Sequence, residues 1–137
     1  MAHDFKNFPE LTNNQMQFYY FESPHKQLTE DFKAKVIKVT DGDTIRVEME
    51  ERNFTFPIRF ANIAAPELDE DGGKESQSWL EDQILGEEVD IKLTKTRVEK
   101  WGRLLAEIEL FGINMGQRSM DFGFSVPWES RGGSEWR

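Results

Sequence analysis

The sequence contains no cysteine and only two histidines, His3 and His25. Disulfide frameworks, thiolate zinc sites and cysteine nucleophiles are excluded at once. Both histidines lie in an irregular N-terminal stretch, so a histidine-based triad or zinc centre is not indicated either. No apolar run approaches the ~20 residues of a membrane-spanning helix. The opening MAHDFKNFPE has no apolar signal core, and the expectation is a cytoplasmic protein with no membrane partner. Positive charge is in short supply: 17 Lys and Arg stand against 26 Asp and Glu, a net charge of −9. A uniformly acidic surface repels phosphate backbones. Any chemistry must rest on carboxylates, arginines and lysines.

What is present reads as one domain. The 137 residues, 37% of them hydrophobic, suffice for a single core. Residues 1–31 show no lasting period. They are read as an N-terminal extension, an arm or extra strand that packs the aromatic run Phe18-Tyr19-Tyr20-Phe21, with base stacking on those rings as the weaker alternative. This extension is also the candidate docking arm for a protein partner.

From Phe32 the pattern turns β. FKAKVIKV stops at DGDT, and Asp-Gly is a hairpin signal because glycine tolerates positive φ. IRVEM puts Ile45, Val47 and Met49 on one face. NFTFPIRF does the same for Phe54, Phe56, Ile58 and Phe60, leaving Arg59 on the opposite face with exposure as its default. Pro57 suggests an edge or a bulge. Residues 62–73 form an acidic loop, and KESQSWLEDQIL has helical spacing with Gly86 as its stop. VDIKL and LLAEIEL are a fourth and a fifth strand, separated by the basic loop TKTRVEKWGR. Asn114 caps a short helix that ends near Gly123. The order β-β-β-α-β-β-α predicts an α+β, mainly β chain: a five-stranded OB-fold barrel with two short helices over residues 32–126. An irregular tail follows over 127–137.

Four short segments could carry chemistry: Asp41-Gly42-Asp43-Thr44, Arg59, Ala64-Ala65-Pro66-Glu67 and Lys100-Trp101-Gly102-Arg103. Singly, each has an ordinary explanation as a turn, an exposed strand position or a solvated loop. Together, in this order and at these separations, they resemble the staphylococcal nuclease (thermonuclease-like) family over roughly residues 32–126. The family's long third helix is not expected, because Pro127 and Gly132-Gly133 follow Gly123. Trp128 is a loose candidate for the aromatic pocket wall.

The resemblance implies hydrolysis of phosphodiester bonds in DNA or RNA with calcium as cofactor. By it, Asp43 is the direct calcium ligand, Asp41 a neighbouring acidic residue and the backbone carbonyl of Ala65 a further ligand. Glu67 orients or deprotonates water, Arg59 and Arg103 hold the phosphate, and Lys100 and Trp101 line the nucleotide pocket. The chemistry suits the residue types. Guanidinium forks stabilise charge on phosphoryl oxygens bidentately, and hard cations take oxygen ligands.

One position departs from the pattern. The family's second calcium carboxylate is Ala64 here, so calcium is expected to bind weakly. Three readings of Ala64 stand side by side: a natural nuclease with a substitute ligand or weak metal, a natural pseudoenzyme, and an engineered inactive variant. The alternative function is a non-catalytic OB-fold module for single-stranded nucleic acid or a protein partner. An intracellular or phage-encoded nuclease is compatible with the missing signal core. The excess acidity is local: residues 67–90 hold ten acidic side chains against Lys74 alone, and the remainder is balanced. The expectation is a basic phosphate rim with an acidic rim opposite.

Overall fold

The computed structural model describes residues 3–100 and 102–131. After a short helix, α1 (Asn13–Tyr19), come β1 (Phe32–Asp41), β2 (Thr44–Met49) and β3 (Arg52–Phe60). Then follow β4 (Ile63–Ala64), α2 (Gly73–Ile84), β5 (Glu88–Val98) and β6 (Leu104–Leu110). The last elements are β7 (Ile113–Asn114), α3 (Met115–Asp121) and β8 (Val126–Pro127), with a 3₁₀ turn over Trp128–Arg131. Strands run in the order β3-β2-β1-β5-β6, and a parallel pairing of β3 with β6 closes the five-stranded barrel.

The alternation visible in the sequence becomes the core. Val36, Val39, Ile45, Val47, Phe56, Ile58, Phe60, Ile91, Leu104 and Ile108 fill the interior, each at most 1% exposed. Burying each such side chain contributes about 1.5–3 kcal/mol. Leu80 and Ile84 of α2 and Met115 of α3 join the same cluster. The helix stops follow the sequence: Gly86 lies just past α2 at φ 83°, and Asn114 accepts a hydrogen bond from Gln117 N–H as the cap of α3. After Gly123 the chain pairs as β8 with β4 rather than continuing as helix. Among the described residues no helix is long and apolar enough to cross a membrane.

Several local expectations are corrected. The extension holds a third helix, α1, rather than a strand; Thr12 and Gln15 form a reciprocal capping box, which satisfies two otherwise orphaned donors. Its aromatic run is not packed away, since Phe18 is 71% and Phe21 98% exposed. The stretch taken as a basic loop continues β5 to Val98, across a register shift between Leu93 and Val98. Pro57 is not on an edge, and the nearby irregularity falls between Val47 and Met49. The parallel pairing to β6 starts only at Ile58, so the missing proline N–H lies just outside that ladder. The segment 127–131, expected to be irregular, completes β8 and forms the 3₁₀ turn; residues 132–137 of the tail lie outside the described residues.

Residues 9–31 are stitched to the barrel by buried charge. Glu10, 1% exposed, bonds Arg52 at the start of β3 and lies 3.9 Å from Arg97 near the end of β5. Arg97 also donates to the carbonyls of Leu11 and Leu28 and to Asn13. Burial pushes the Arg97 pKa below its usual value, and the Glu10 charge opposes that shift. Phe8 packs so closely on Gly102 that a Cβ there would sit 2.6 Å from Phe8 Cβ.

Candidate active site

The β1–β2 turn carries the first motif. Asp41 and Thr44 form the last ladder pair, with Gly42 and Asp43 between them. Gly42 is required by space and not by positive φ: a Cβ there would lie 2.0 Å from Ser76 Oγ and 2.7 Å from Ala65 Cβ. The turn is thus pressed against α2 and the segment after β4. Asp41 accepts from the Asp43 N–H at 3.0 Å, which fixes the turn. Asp43 is fully buried. Its Oδ1 accepts from Thr44 Oγ1 at 3.1 Å, and its Oδ2 accepts from Ala65 N–H at 2.9 Å.

Arg59 meets that carboxylate. Its Nη2 lies 3.4 Å from Asp43 Oδ2 and donates to the Ile63 carbonyl at 3.0 Å, while Nη1 donates to the Phe60 carbonyl. Asn62 makes this possible by turning the chain at φ 69°, a conformation that asparagine tolerates. Exposure was the default expectation for Arg59, yet it is 1% exposed. Strand alternation does point it out of the barrel, but β8 and the following turn cover that face. Trp128, held by its N–H to the Asn62 carbonyl at 3.0 Å, lies with its ring centre 5.9 Å from the Arg59 guanidinium carbon.

The other described candidates lie on β4, on the loop after it and on the turn before β6. Ala64 is buried and pairs with Val126 across β4–β8. Glu67 is half-buried at the start of a compact loop, where its N–H donates to Glu70 Oε1 at 2.7 Å and its carbonyl accepts from Glu70 N–H at 2.9 Å. Gly73 closes that loop so tightly that a Cβ would fall 1.8 Å from the Glu67 carbonyl oxygen. Arg103 precedes β6, and its side chain, 27% exposed, is held by Glu99 at 3.1 Å. Arg59 pairs with Leu105 in the parallel register. Residues paired in register share a face, so Arg103, two positions before Leu105, projects from the same outer face as Arg59. Lys100 is exposed, and Trp101 lies outside the described residues.

Calcium takes six to eight oxygen ligands and binds more tightly as carboxylates are added. Here Asp43 supplies one carboxylate, whose oxygens already accept from Thr44 and Ala65 and face Arg59. Ala64 supplies a methyl group. Among the described residues no three acidic or histidine side chains are grouped to hold a metal. The donor set does not fit a resident calcium ion.

The acidic tract begins at Glu67, two residues after Ala65, so its first carboxylates border the Asp43–Arg59 pair. Sequence reasoning missed the Glu10–Arg52–Arg97 network, and it left Trp128 only loosely placed.

No family model matches the chain. Two proteins named uncharacterized endonuclease, from Escherichia coli O157:H7 and Escherichia coli, are each 34% identical over 103 residues, 74% of this chain and 65% of theirs. A micrococcal nuclease of Shigella flexneri is 33% identical over 78 residues, 57% of this chain and 42% of its own length. The chain therefore spans a little under two thirds of the endonucleases and less than half of the micrococcal nuclease. These relatives, the closed five-stranded barrel and the four motifs in order support a thermonuclease-like domain in this chain.

Proposed function

We propose that this domain is a nuclease that engages the phosphodiester backbone of DNA or RNA at Arg59 and Arg103, with Glu67 as base, and that Ala64 impairs its hydrolytic step. The observation that carries the reading is the buried Asp43–Arg59 pair, 3.4 Å apart and locked by backbone groups of residues 60–65. An arginine so fixed cannot reorganise freely, which is what stabilisation of developing charge calls for.

Arg103 is the accessible half of the arginine pair. It meets a phosphate first and exchanges its Glu99 contact for two phosphoryl oxygens. Access to Arg59 requires Trp128 to shift. Water then adds to phosphorus, negative charge grows on the equatorial oxygens, and the guanidinium groups stabilise it. Glu67 takes the proton from water as the P–O ester bond breaks, and the departing oxygen is reprotonated from solvent. Calcium dependence, which the resemblance implies, has little support where Asp43 is already faced by Arg59 and position 64 offers no carboxylate.

The test measures cleavage of end-labelled single- and double-stranded DNA and RNA by wild type and Arg103→Ala. Cleavage should fall by about 10²–10³ in the variant; an unchanged rate refutes the assignment. The second reading, a module that binds without cutting, is favoured by Ala64. It is distinguished by oligonucleotide binding that Arg103→Ala weakens, with no cleavage under any divalent ion.

A further inference from the structure

The ladder registers bring two cations from outside the four motifs into line with Arg103 of the fourth. Lys38 of β1 pairs with Arg46 of β2, and Arg46 pairs with Pro57 of β3. Ile58 pairs in parallel with Leu104, so Pro57 stands beside Arg103. Paired residues project from one face, and these four lie on the outside of the barrel, since their neighbours Val39, Ile45, Val47, Ile58 and Leu104 are all buried in the core. Three strand spacings of about 4.8 Å set Lys38 roughly 14 Å from Arg103.

The cations are available. Lys38 is exposed, and among the described residues it makes no ion pair or side-chain hydrogen bond. Arg46 is half-exposed; its Nε donates to Thr55 Oγ1 at 3.0 Å, which leaves both amino groups uncommitted among the described residues. In the next row outward the exposed Lys35 of β1 stands opposite the exposed Glu48 of β2, and Thr55 follows on β3, so that row carries no net positive charge. Between Arg46 and Arg103 the half-buried Pro57 ring is a low, uncharged saddle.

We propose that Lys38, Arg46 and Arg103 form a track for one strand of nucleic acid, crossing β1, β2 and β3 and delivering it to the Arg59–Arg103 site. The inference rests on the function proposed above and names the substrate form: a single-stranded polynucleotide. Its length of roughly 14 Å spans about four phosphate intervals, given ~3.4 Å of axial rise per charge in a helical strand. One row of cations follows one backbone, and the flanking Lys35 and Glu48, opposite in charge, add no net attraction for a second.

The test is fluorescence anisotropy with labelled single-stranded oligonucleotides of about two and about ten nucleotides over graded salt, using wild type, Lys38→Ala, Arg46→Ala, Arg46→Lys and Arg103→Ala. Each neutral row variant should weaken binding of the longer strand roughly threefold to tenfold and reduce the magnitude of the log–log salt slope by about 0.7. Arg46→Lys should keep the slope. The short oligonucleotide should respond to Arg103→Ala but not to Lys38→Ala. Unchanged affinity and slope in Lys38→Ala and Arg46→Ala, or no binding of the longer strand at low salt, overturns the track. Equal or tighter binding of a duplex of the same length, with the same slope loss, overturns the single-strand assignment. If the row variants weaken binding while Arg103→Ala changes neither binding nor cleavage, the proposed active site fails and a basic binding face remains.

Discussion

Ala64→Asp should convert a domain indifferent to calcium into one stabilised by it. In the wild type, Asp43 is fully buried and its charge is faced by Arg59 at 3.4 Å. Ile63 belongs to the barrel core, so Ala64, next to it on β4 and 1% exposed, faces the other way. A second carboxylate there would be buried near Asp43 with a single guanidinium to share. If desolvation and repulsion raise its pKa by about two units, the folded state loses about 3 kcal/mol at neutral pH. Calcium reverses the sign of that interaction. At ~100-fold above a dissociation constant of ~0.1 mM it returns about 2.7 kcal/mol. For 137 residues, an unfolding entropy near 2.1 cal/mol/K per residue makes that a rise of about 9 °C in Tm. The assay is thermal unfolding of both proteins with EDTA, magnesium or calcium. Wild type should melt at one temperature in all three, and Ala64→Asp should melt lower in EDTA and recover in calcium. A calcium shift in wild type as large as in the variant refutes the reading of the donor set. No shift in the variant shows that Ala64 does not face the Asp43 carboxylate.

Two further perturbations follow from packing and buried charge. Gly42→Ala places a methyl group against Ser76 and Ala65, both at most 1% exposed; denaturant unfolding should report a loss of about 1–3 kcal/mol, as for an overpacked core. Unaltered stability would mean that the turn is looser than the close approach implies. Glu10→Gln keeps the side-chain shape but leaves Arg52 and Arg97 buried without their carboxylate. Breaking such a cluster costs about 3–5 kcal/mol, measurable as a drop in the urea midpoint, whereas a change below about 0.5 kcal/mol would mark residues 9–31 as a dispensable arm.

Local patterns carried most of the barrel. Two-residue alternation exposed the inward faces of β1, β2, β3 and β6, and capping residues marked both ends of α3. What escaped notice had no local period. α1 has seven residues and none buried, so no apolar stripe announces it; only the Thr12–Gln15 box does. The far part of β5 reads Thr-Lys-Thr-Arg, without apolar alternation, and it is held by Arg97 reaching back more than eighty residues to Leu11 and Asn13. The motif residues were all visible in the sequence, but the burial of Arg59 was not. Alternation says which face a side chain leaves from, and only the return of residues 126–128 over that face decides whether water reaches it.

The same distinction recasts the net charge of −9. A sum over the chain treats every carboxylate as repelling a phosphate equally, yet screening limits that reach to about 8–10 Å at ordinary salt. Asp43 acts at that range, and its charge is offset by Arg59 at 3.4 Å. The loop from Glu67 to Asp71 also acts at that range, because it leaves the site two residues after Ala65. It opposes a polynucleotide lying on its own side and has less hold on one arriving across Lys38 and Arg46. Acidity beside the site and a thin basic row leading to it are therefore compatible. The loop biases the path of the strand more than it forbids its binding, and neutralising Asp69 and Asp71 should raise the association rate more than it changes which residues the bound strand touches.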